Sequence, residues 1–280
     1  MSVFDHKPNW GPLGKEVFER TYSREKRNGE KETWEDTVKR VVEGNLALVD
    51  SQYHERNEKE KLEALFYTFK ALPAGRHLWT CGVPGRQFLW NCYHAGWGDN
   101  IADHYSFLFD MLMQGGGVGA NYSNKHIRKY SPVKYEVDVH IVCSPDHPDY
   151  ELMEPYLSKE VSHEWVGSTN VEDTREGWVQ ALRDVFVAGY GAPEDALIFN
   201  LSNIRPKGSR IRGFGGVASG PWALAEMLQN VAQLLTNRLG DKLTSLDHMT
   251  IDHLIASCVV AGNVRRSARM SIKHWRDPDI

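Results

Sequence analysis

ADHYSFLFDMLMQGGGVGANYSN, residues 102–124, is the stretch that decides how this chain is read. Residues 102–113 form an apolar segment of helical length, and it runs into Gly115-Gly116-Gly117-Val118-Gly119. Something new begins at Ala120-Asn121-Tyr122-Ser123-Asn124. A dinucleotide fingerprint follows a strand and opens a helix, whereas these glycines follow a helix. A Walker loop carries Lys and then Ser or Thr directly after its glycines, and here Ala120 and Asn121 stand in those places. Both familiar nucleotide loops are thereby excluded. Four glycines in five residues still bring backbone very close to something. Two readings stay open: a tight helix-to-strand turn, or bare N–H and C=O groups facing a sugar or phosphate.

Upstream, residues 87–94 alternate, with Phe88, Trp90, Cys92 and His94 on one face, which predicts a strand. Before it, Pro73-Ala74-Gly75-Arg76 breaks a helical region, and residues 77–80 form a short apolar run. That helical region includes Trp34, Val38, Val41 and Val42 at i, i+4, i+7 and i+8, one helix face. A second helix is expected over 58–71, with Leu62, Leu65, Phe66 and Phe69 on one side. Downstream, residues 135–142 read as a strand and 174–187 as a helix, within a less regular region over 144–200. Residues 200–220 read as a long loop. Helices follow over 221–235, opened by Pro221, and over 251–260, and a strand is expected over 270–274. The alternation after residue 73 predicts an α/β fold behind a helical N-terminal cap. The expected domains are 1–72 and 73–280.

The chain has 280 residues, 41% apolar and 25% charged, a globular composition with room for a large core. A net charge of −4 argues against a general polyanion binder, so no direct nucleic acid partner is expected. No 18-residue apolar run exists, and Asp5, His6, Lys7 and Pro8 spoil any signal peptide, so no membrane is expected either. Cys81, Cys92, Cys143 and Cys258 are widely spaced and form no CxxC pair. That disfavours zinc and a disulfide scaffold, and implies a reducing, cytoplasmic setting.

Two basic segments are candidates for phosphate binding. Arg205, Lys207, Arg210 and Arg212 lead into Gly213-Phe214-Gly215-Gly216, and Arg265, Arg266 and Arg269 follow Gly262-Asn263. Guanidinium groups beside glycines suit phosphates, and a helix start near Ser219-Gly220-Pro221 adds backbone donors. The alternative is a solvated basic face. Cys92 is either an inert core cysteine, the usual fate of such a residue, or a working thiol. Cys258 reads as core. His94 beside Cys92 lacks further metal ligands nearby. From residues alone, the reading stops at an α/β protein that binds nucleotide phosphate through glycine and arginine loops.

Three segments taken together resemble one family. Pro73-Ala74-Gly75-Arg76-His77-Leu78-Trp79 precedes Phe88-Leu89-Trp90-Asn91-Cys92; the glycine segment 115–124 follows; Ala261-Gly262-Asn263-Val264-Arg265-Arg266-Ser267-Ala268-Arg269 comes last. This order resembles the ribonucleotide reductases. The wording, with Arg20-Thr21-Tyr22-Ser23-Arg24 and residues 34–45, resembles the monomeric, adenosylcobalamin-dependent ribonucleoside-triphosphate reductases. The fold this implies is the first part of the family's α/β barrel, with 131–212 as an insertion contributing to an allosteric effector site.

The resemblance also implies roles. Cys92 matches the first cysteine of a redox pair that reduces the ribose and closes a disulfide. Asn91, Gly115, Gly116, Gly117 and Gly119 match positions lining substrate ribose and phosphate, and Gly75, Arg76 and His77 a segment near the substrate phosphates. Gly215, Gly216, Ser219 and Gly220 match one specificity loop; Gly262, Asn263, Arg265, Arg266 and Arg269 match a second, between effector and substrate base. A water-poor aromatic setting around Cys92 would suit radical chemistry. The implied cofactor is adenosylcobalamin, whose cobalt–carbon bond is the radical source, with Mg2+ accompanying the nucleotide. The implied partners are a ribonucleoside triphosphate, a deoxyribonucleotide effector, a thioredoxin-type reductant and the remainder of the enzyme. The radical cysteine, the partner of Cys92, the catalytic glutamate and most cobalamin contacts are expected beyond residue 280, so the chain alone is expected to be inactive. The alternatives are a large-subunit fragment of a metal-radical-dependent reductase and a non-catalytic nucleotide-binding regulatory relative.

Overall fold

The computed structural model describes residues 3–26, 28–84, 90–191, 196–211, 217–261 and 268–279. The chain divides into two compact units, one ending at Trp90 and one beginning at Asn91.

The first unit holds α1 (Gly14–Val17), α2 (Trp34–Leu46), α3 (Glu58–Tyr67) and α4 (Gly75–Thr80). Helix α2 starts at a capping box: Asp36 N–H donates to Thr33 Oγ1 at 3.1 Å and Thr33 N–H to Asp36 Oδ2 at 2.8 Å. Trp34, Val38, Val41 and Val42 are all buried, the face their spacing predicts. Trp34 lies 5.2 Å from Phe69 and 5.3 Å from Phe18 between ring centroids. Helix α3 stops at Tyr67 rather than 71, since Phe69 turns into the left-handed region at φ 59°. Residues 77–80, expected as an isolated apolar run, are helical. Arg40 explains where they belong. Its guanidinium pairs with Glu32 at 2.7 Å and donates to Leu78 O at 2.9 Å and Cys81 O at 2.5 Å. That ties α4 to α2, so Gly75–Thr80 is part of the helical unit, and the boundary falls at Trp90 rather than after residue 72.

The second unit runs β1 (Cys92–Ala95), α5 (Ile101–Met113), β2 (Gly117–Asn121), α6 (Asn124–Ile127), β3 (Val139–Val142), α7 (Tyr150–Met153), β4 (Thr169–Asn170), α8 (Arg175–Tyr190), β5 (Leu197–Asn200), α9 (Trp222–Thr236), α10 (Ser245–Val260) and β6 (Ala268–Ile272). The strands form two three-stranded sheets, β1-β2-β6 and β3-β5-β4, with every pair parallel. The α/β expectation is met by this mixture of helices and parallel strands. No closed barrel is present among the described residues.

Helix α5 is the spine of this unit. Tyr105, Leu108, Phe109 and Leu112 are fully buried against neighbouring helices and sheet. Tyr105 stacks on Phe186 of α8 with centroids 4.4 Å apart. Helix α10 begins at Ser245, well before residue 251, because Thr244 and Asp247 form a second capping box.

A buried polar network crosses this core. His104 Nδ1 lies 3.0 Å from Gly96 O, and its Nε2 lies 3.3 Å from Asp252 Oδ2. Tyr122 donates its hydroxyl to the same Asp252 oxygen. Tyr105 OH meets His248 Nδ1 at 2.5 Å, and Trp97 stacks on His104 at 3.6 Å. Buried polar groups need such partners, so the network fixes α5, α10 and the segment after β2 in one arrangement.

Burial, reinforced by His104, pushes the His248 imidazole down to about 3. In the unfolded chain it would titrate near its ordinary value of about 6.5. The unfolded state therefore binds the extra proton between these values, and stability is complete above pH ~6.5 and lost as pH falls toward ~3. The urea midpoint of the chain is expected to be lower at pH 5 than at pH 7, with a shallower dependence in His248→Gln; a midpoint unchanged between these pH values would contradict this. Leu108→Ala is expected to cost about 2–5 kcal/mol in the same assay.

Candidate functional site

Strands β1, β2 and β6 bring together the three segments singled out in the sequence. The register sets Cys92 beside Gly117 and Gly117 beside Ala268, one lateral row across the sheet. The next same-face row is His94, Gly119 and Met270. Side chains alternate between faces along a strand. Tyr93, Ala95, Val118 and Ala120 therefore point the other way, and Ala95, Val118 and Ala120 are buried on the α5 side. The Cys92 face is open along its flanking strands, where Cys92 is exposed, Met270 is 58% exposed and Ile272 43%, while Gly117 is half-buried and Gly119 is buried beside Met270. Asn91 Nδ2 lies 3.8 Å from the Cys92 sulfur. Trp90 is 73% exposed, so the water-poor aromatic setting expected around Cys92 is not present among the described residues. Phe88 and Leu89 lie outside them.

The structure divides the glycine run in two. Gly115 takes φ +76° and donates to Leu112 O at 2.8 Å, while Gly116 donates to Met111 O at 3.0 Å, closing α5 as a left-handed C-terminal turn. A side chain on Gly116 would collide with the Tyr93 ring at 2.6 Å. These two glycines make the helix-to-strand turn. Gly117 and Gly119 are in β2 with ordinary extended backbone. A Cβ on Gly117 would meet only Ala268 Cβ and Asn91 O at 3.5 Å, and one on Gly119 would press the movable Met270 Cε at 3.1 Å. The fold does not require a bare backbone at 117, and it lies on the Cys92 face.

The remaining expected residues are distributed as follows. Gly75 opens α4 against the Tyr22 ring, in the first unit. In the same unit Arg76 Nη1 lies 3.4 Å from Trp90 O. His77 Nε2 lies 3.1 Å from Asn45 Oδ1, and burial pushes its pKa below the usual histidine range. Ser219 and Gly220 precede α9. Gly220 takes φ +82° and packs on Asp149, whose carboxylate accepts from Lys207 N–H at 2.6 Å. Arg205 pairs with Asp173 at 2.7 Å. Arg269, expected in a loop, is in β6 beside Val118 and so on the core side of the sheet. Its Nε has no hydrogen-bond partner among the described residues. Burial and then the Asp252 charge push the Tyr122 hydroxyl far upward, and the Arg269 charge opposes them. Gly215, Gly216, Gly262, Asn263, Arg265 and Arg266 lie outside the described residues.

Two features were missed in the sequence. One is the Tyr122–Asp252–His104 network; its signal was an aspartate on the apolar face of a helix. The other is a cavity of about 350 Å³ at the carboxyl ends of β1 and β2, lined by His94, Trp97, Asn121, Lys125, His126 and Lys129 among others. Its signal was the basic run Lys125-His126-Ile127-Arg128-Lys129 directly after β2.

Comparison with known proteins finds relatives along nearly the whole chain. The family described as "Ribonucleotide reductase alpha domain" matches residues 3–83, and "B12-dependent ribonucleotide reductase, insertion domain" matches residues 154–235. A protein of Mycobacterium phage D29 named for adenosylcobalamin-dependent ribonucleoside-triphosphate reduction is 49% identical over 96% of this chain, and the match spans 41% of that protein. The adenosylcobalamin-dependent ribonucleoside-triphosphate reductase of Lactobacillus leichmannii is 37% identical over 98% of the chain and 42% of its own length. A crystal structure of a B12-dependent (class II) ribonucleotide reductase superposes with a TM-score of 0.85 at 33% identity, over 99% of this chain and 44% of that one. The chain thus spans about two fifths of the length of the relatives it matches.

The division of the glycine run has a measurable consequence. Gly115→Ala forces a Cβ into the left-handed region and is expected to destabilise the chain by about 1–2 kcal/mol. Gly117→Ala is expected to leave the urea midpoint unchanged or raise it, by no more than about 1 kcal/mol. Equal losses in the two variants would contradict the division.

Proposed function

The chain belongs, as an amino-terminal portion, to the adenosylcobalamin-dependent ribonucleotide reductases, and from that membership we propose that it supplies one half of the reducing site of a ribonucleoside-triphosphate reductase. The observation that carries the proposal is the exposed thiol of Cys92 beside the half-buried, side-chain-free Gly117, with Gly119 beneath Met270 in the next row of the same face. Parallel sheets almost always have both faces covered. An uncovered face bearing a thiol and bare backbone suits a surface completed by the rest of the enzyme and by substrate, as the continuation of the family's barrel would provide.

In this reading the ribose of a ribonucleoside triphosphate lies against Gly117 and Gly119, near Asn91, where side chains would block it. Cys92 and a second cysteine in the rest of the protein each give up a hydrogen and close a disulfide. The two electrons and two protons replace the 2′ C–O bond by C–H and release the oxygen as water. A thioredoxin-type dithiol then reopens the disulfide. Gly75, Arg76 and His77 serve the substrate phosphates, with Mg2+ accompanying them. Gly215, Gly216, Ser219 and Gly220, with Gly262, Asn263, Arg265, Arg266 and Arg269, serve a deoxyribonucleotide effector, assisted by an insertion within 131–212. In this reading adenosylcobalamin supplies the radical, and most of its contacts belong to the remainder of the enzyme.

The test is a chimera joining this chain to the complementary part of the phage D29 relative, assayed with ribonucleoside triphosphate, adenosylcobalamin and a dithiol. The chimera is expected to form deoxynucleotide and the isolated chain none. Cys92→Ser in the chimera is expected to lower multiple turnover by at least about 100-fold, some 2.7 kcal/mol in barrier terms. Turnover by the isolated chain, or an unimpaired Cys92→Ser chimera, would refute the proposal.

A further inference from the structure

The cavity at the carboxyl ends of β1 and β2 begins at His94, one same-face row beyond Cys92 and Gly117, and extends past the strand ends to Trp97 and Asn121. Crevices outside the carboxyl ends of parallel strands are where open α/β sheets take ligands. The lining is one-sided in charge: Lys125 and Lys129 face it together with His94 and His126, and among the described residues no aspartate or glutamate does. Its wall is already ordered without a guest. Lys129 Nζ donates to Trp97 O at 2.9 Å, the Trp97 indole N–H donates to Asn121 O at 2.7 Å, and Trp97 is stacked on the buried His104. Space is open at Gly96, where an added Cβ would touch nothing within 4 Å. Lys125 is exposed, and the half-buried His126 shares its short helix α6.

We propose that this cavity is a binding site for a phosphate-bearing small anion, held by Lys125 and Lys129 with His94 and His126 as further donors, and displaced toward the carboxyl ends of the strands from the Cys92–Gly117 row. Lysine ammonium groups bind phosphate oxygens as point charges through charge-assisted hydrogen bonds. A rigid wall lowers the ordering cost of binding. The guest is either inorganic polyphosphate-like or the phosphate chain of a nucleotide, and both present the same oxygens.

Calorimetric titration of the full 280-residue chain with tripolyphosphate, a deoxynucleoside triphosphate and the corresponding nucleoside tests this. Tripolyphosphate is expected to bind, more weakly as salt rises. Lys125→Gln with His126→Gln is expected to weaken it about tenfold or more. Lys70→Gln, an exposed lysine outside the cavity, is expected to leave this binding unchanged. Unchanged unfolding midpoints would show that the variants remain folded. If the nucleoside triphosphate binds more tightly than tripolyphosphate and the nucleoside itself binds, the guest is a nucleotide. Equal affinities with a silent nucleoside point to the phosphate chain alone. Absence of tripolyphosphate binding, or binding indifferent to the Lys125 and His126 substitutions, would overturn the assignment. So would equal weakening by Lys70→Gln.

Discussion

The parallel pairing of β2 with β1 on one side and β6 on the other is the constraint from which the rest of the second unit follows. It places Cys92, Gly117 and Ala268 in one row, although they come from segments far apart in sequence. The period of two then assigns opposite duties to alternate residues. Ala95, Val118 and Ala120 go to the α5 core, while Cys92, Gly117 and Gly119 go to the other face. A slip of one residue in β2 would turn the glycines toward α5 and move Val118 and Ala120 out of the core. The α5 core and the Cys92 face are specified by the same register.

Holding that register is the work of the elements behind the sheet. Gly115 turns the chain out of α5 directly into β2, so helix and strand are placed together. Asp252 binds Tyr122 just after β2 and His104 in α5, which anchors α10 to both. The second oxygen of Asp252 and the Nε of Arg269 are buried without hydrogen-bond partners among the described residues, an uncommon cost in a native core.

Much of this was legible in the sequence because local signals agreed with the tertiary outcome. The Trp34 face of α2, the extent of α5, and the Pro221 start of α9 follow from periodicity and capping alone. The errors have physical causes. The four residues of β5, Leu197–Asn200, are too short to show a period. The left-handed Phe69 that ends α3 has no signal in residue type. Residues 77–80 became helical through Arg40, a contact distant in sequence. The glycine run could not be divided from sequence, since Gly115 and Gly117 differ only in φ and in what lies beside them. The roles of the basic segments rested on resemblance, and Arg269 turned out to be in a strand because pairing with Val118 outweighs the loop composition around it.

The central claim is that Cys92 presents its thiol on an open sheet face while Cys81, Cys143 and Cys258 are enclosed. Thiol titration of the native, reduced chain with an aromatic disulfide reagent tests it directly. About one thiol per chain should react at the rate of an accessible cysteine, and that fast phase should vanish in Cys92→Ser, with the other three reacting only on unfolding. No fast phase in the native chain, or a fast phase that survives Cys92→Ser, would contradict the account.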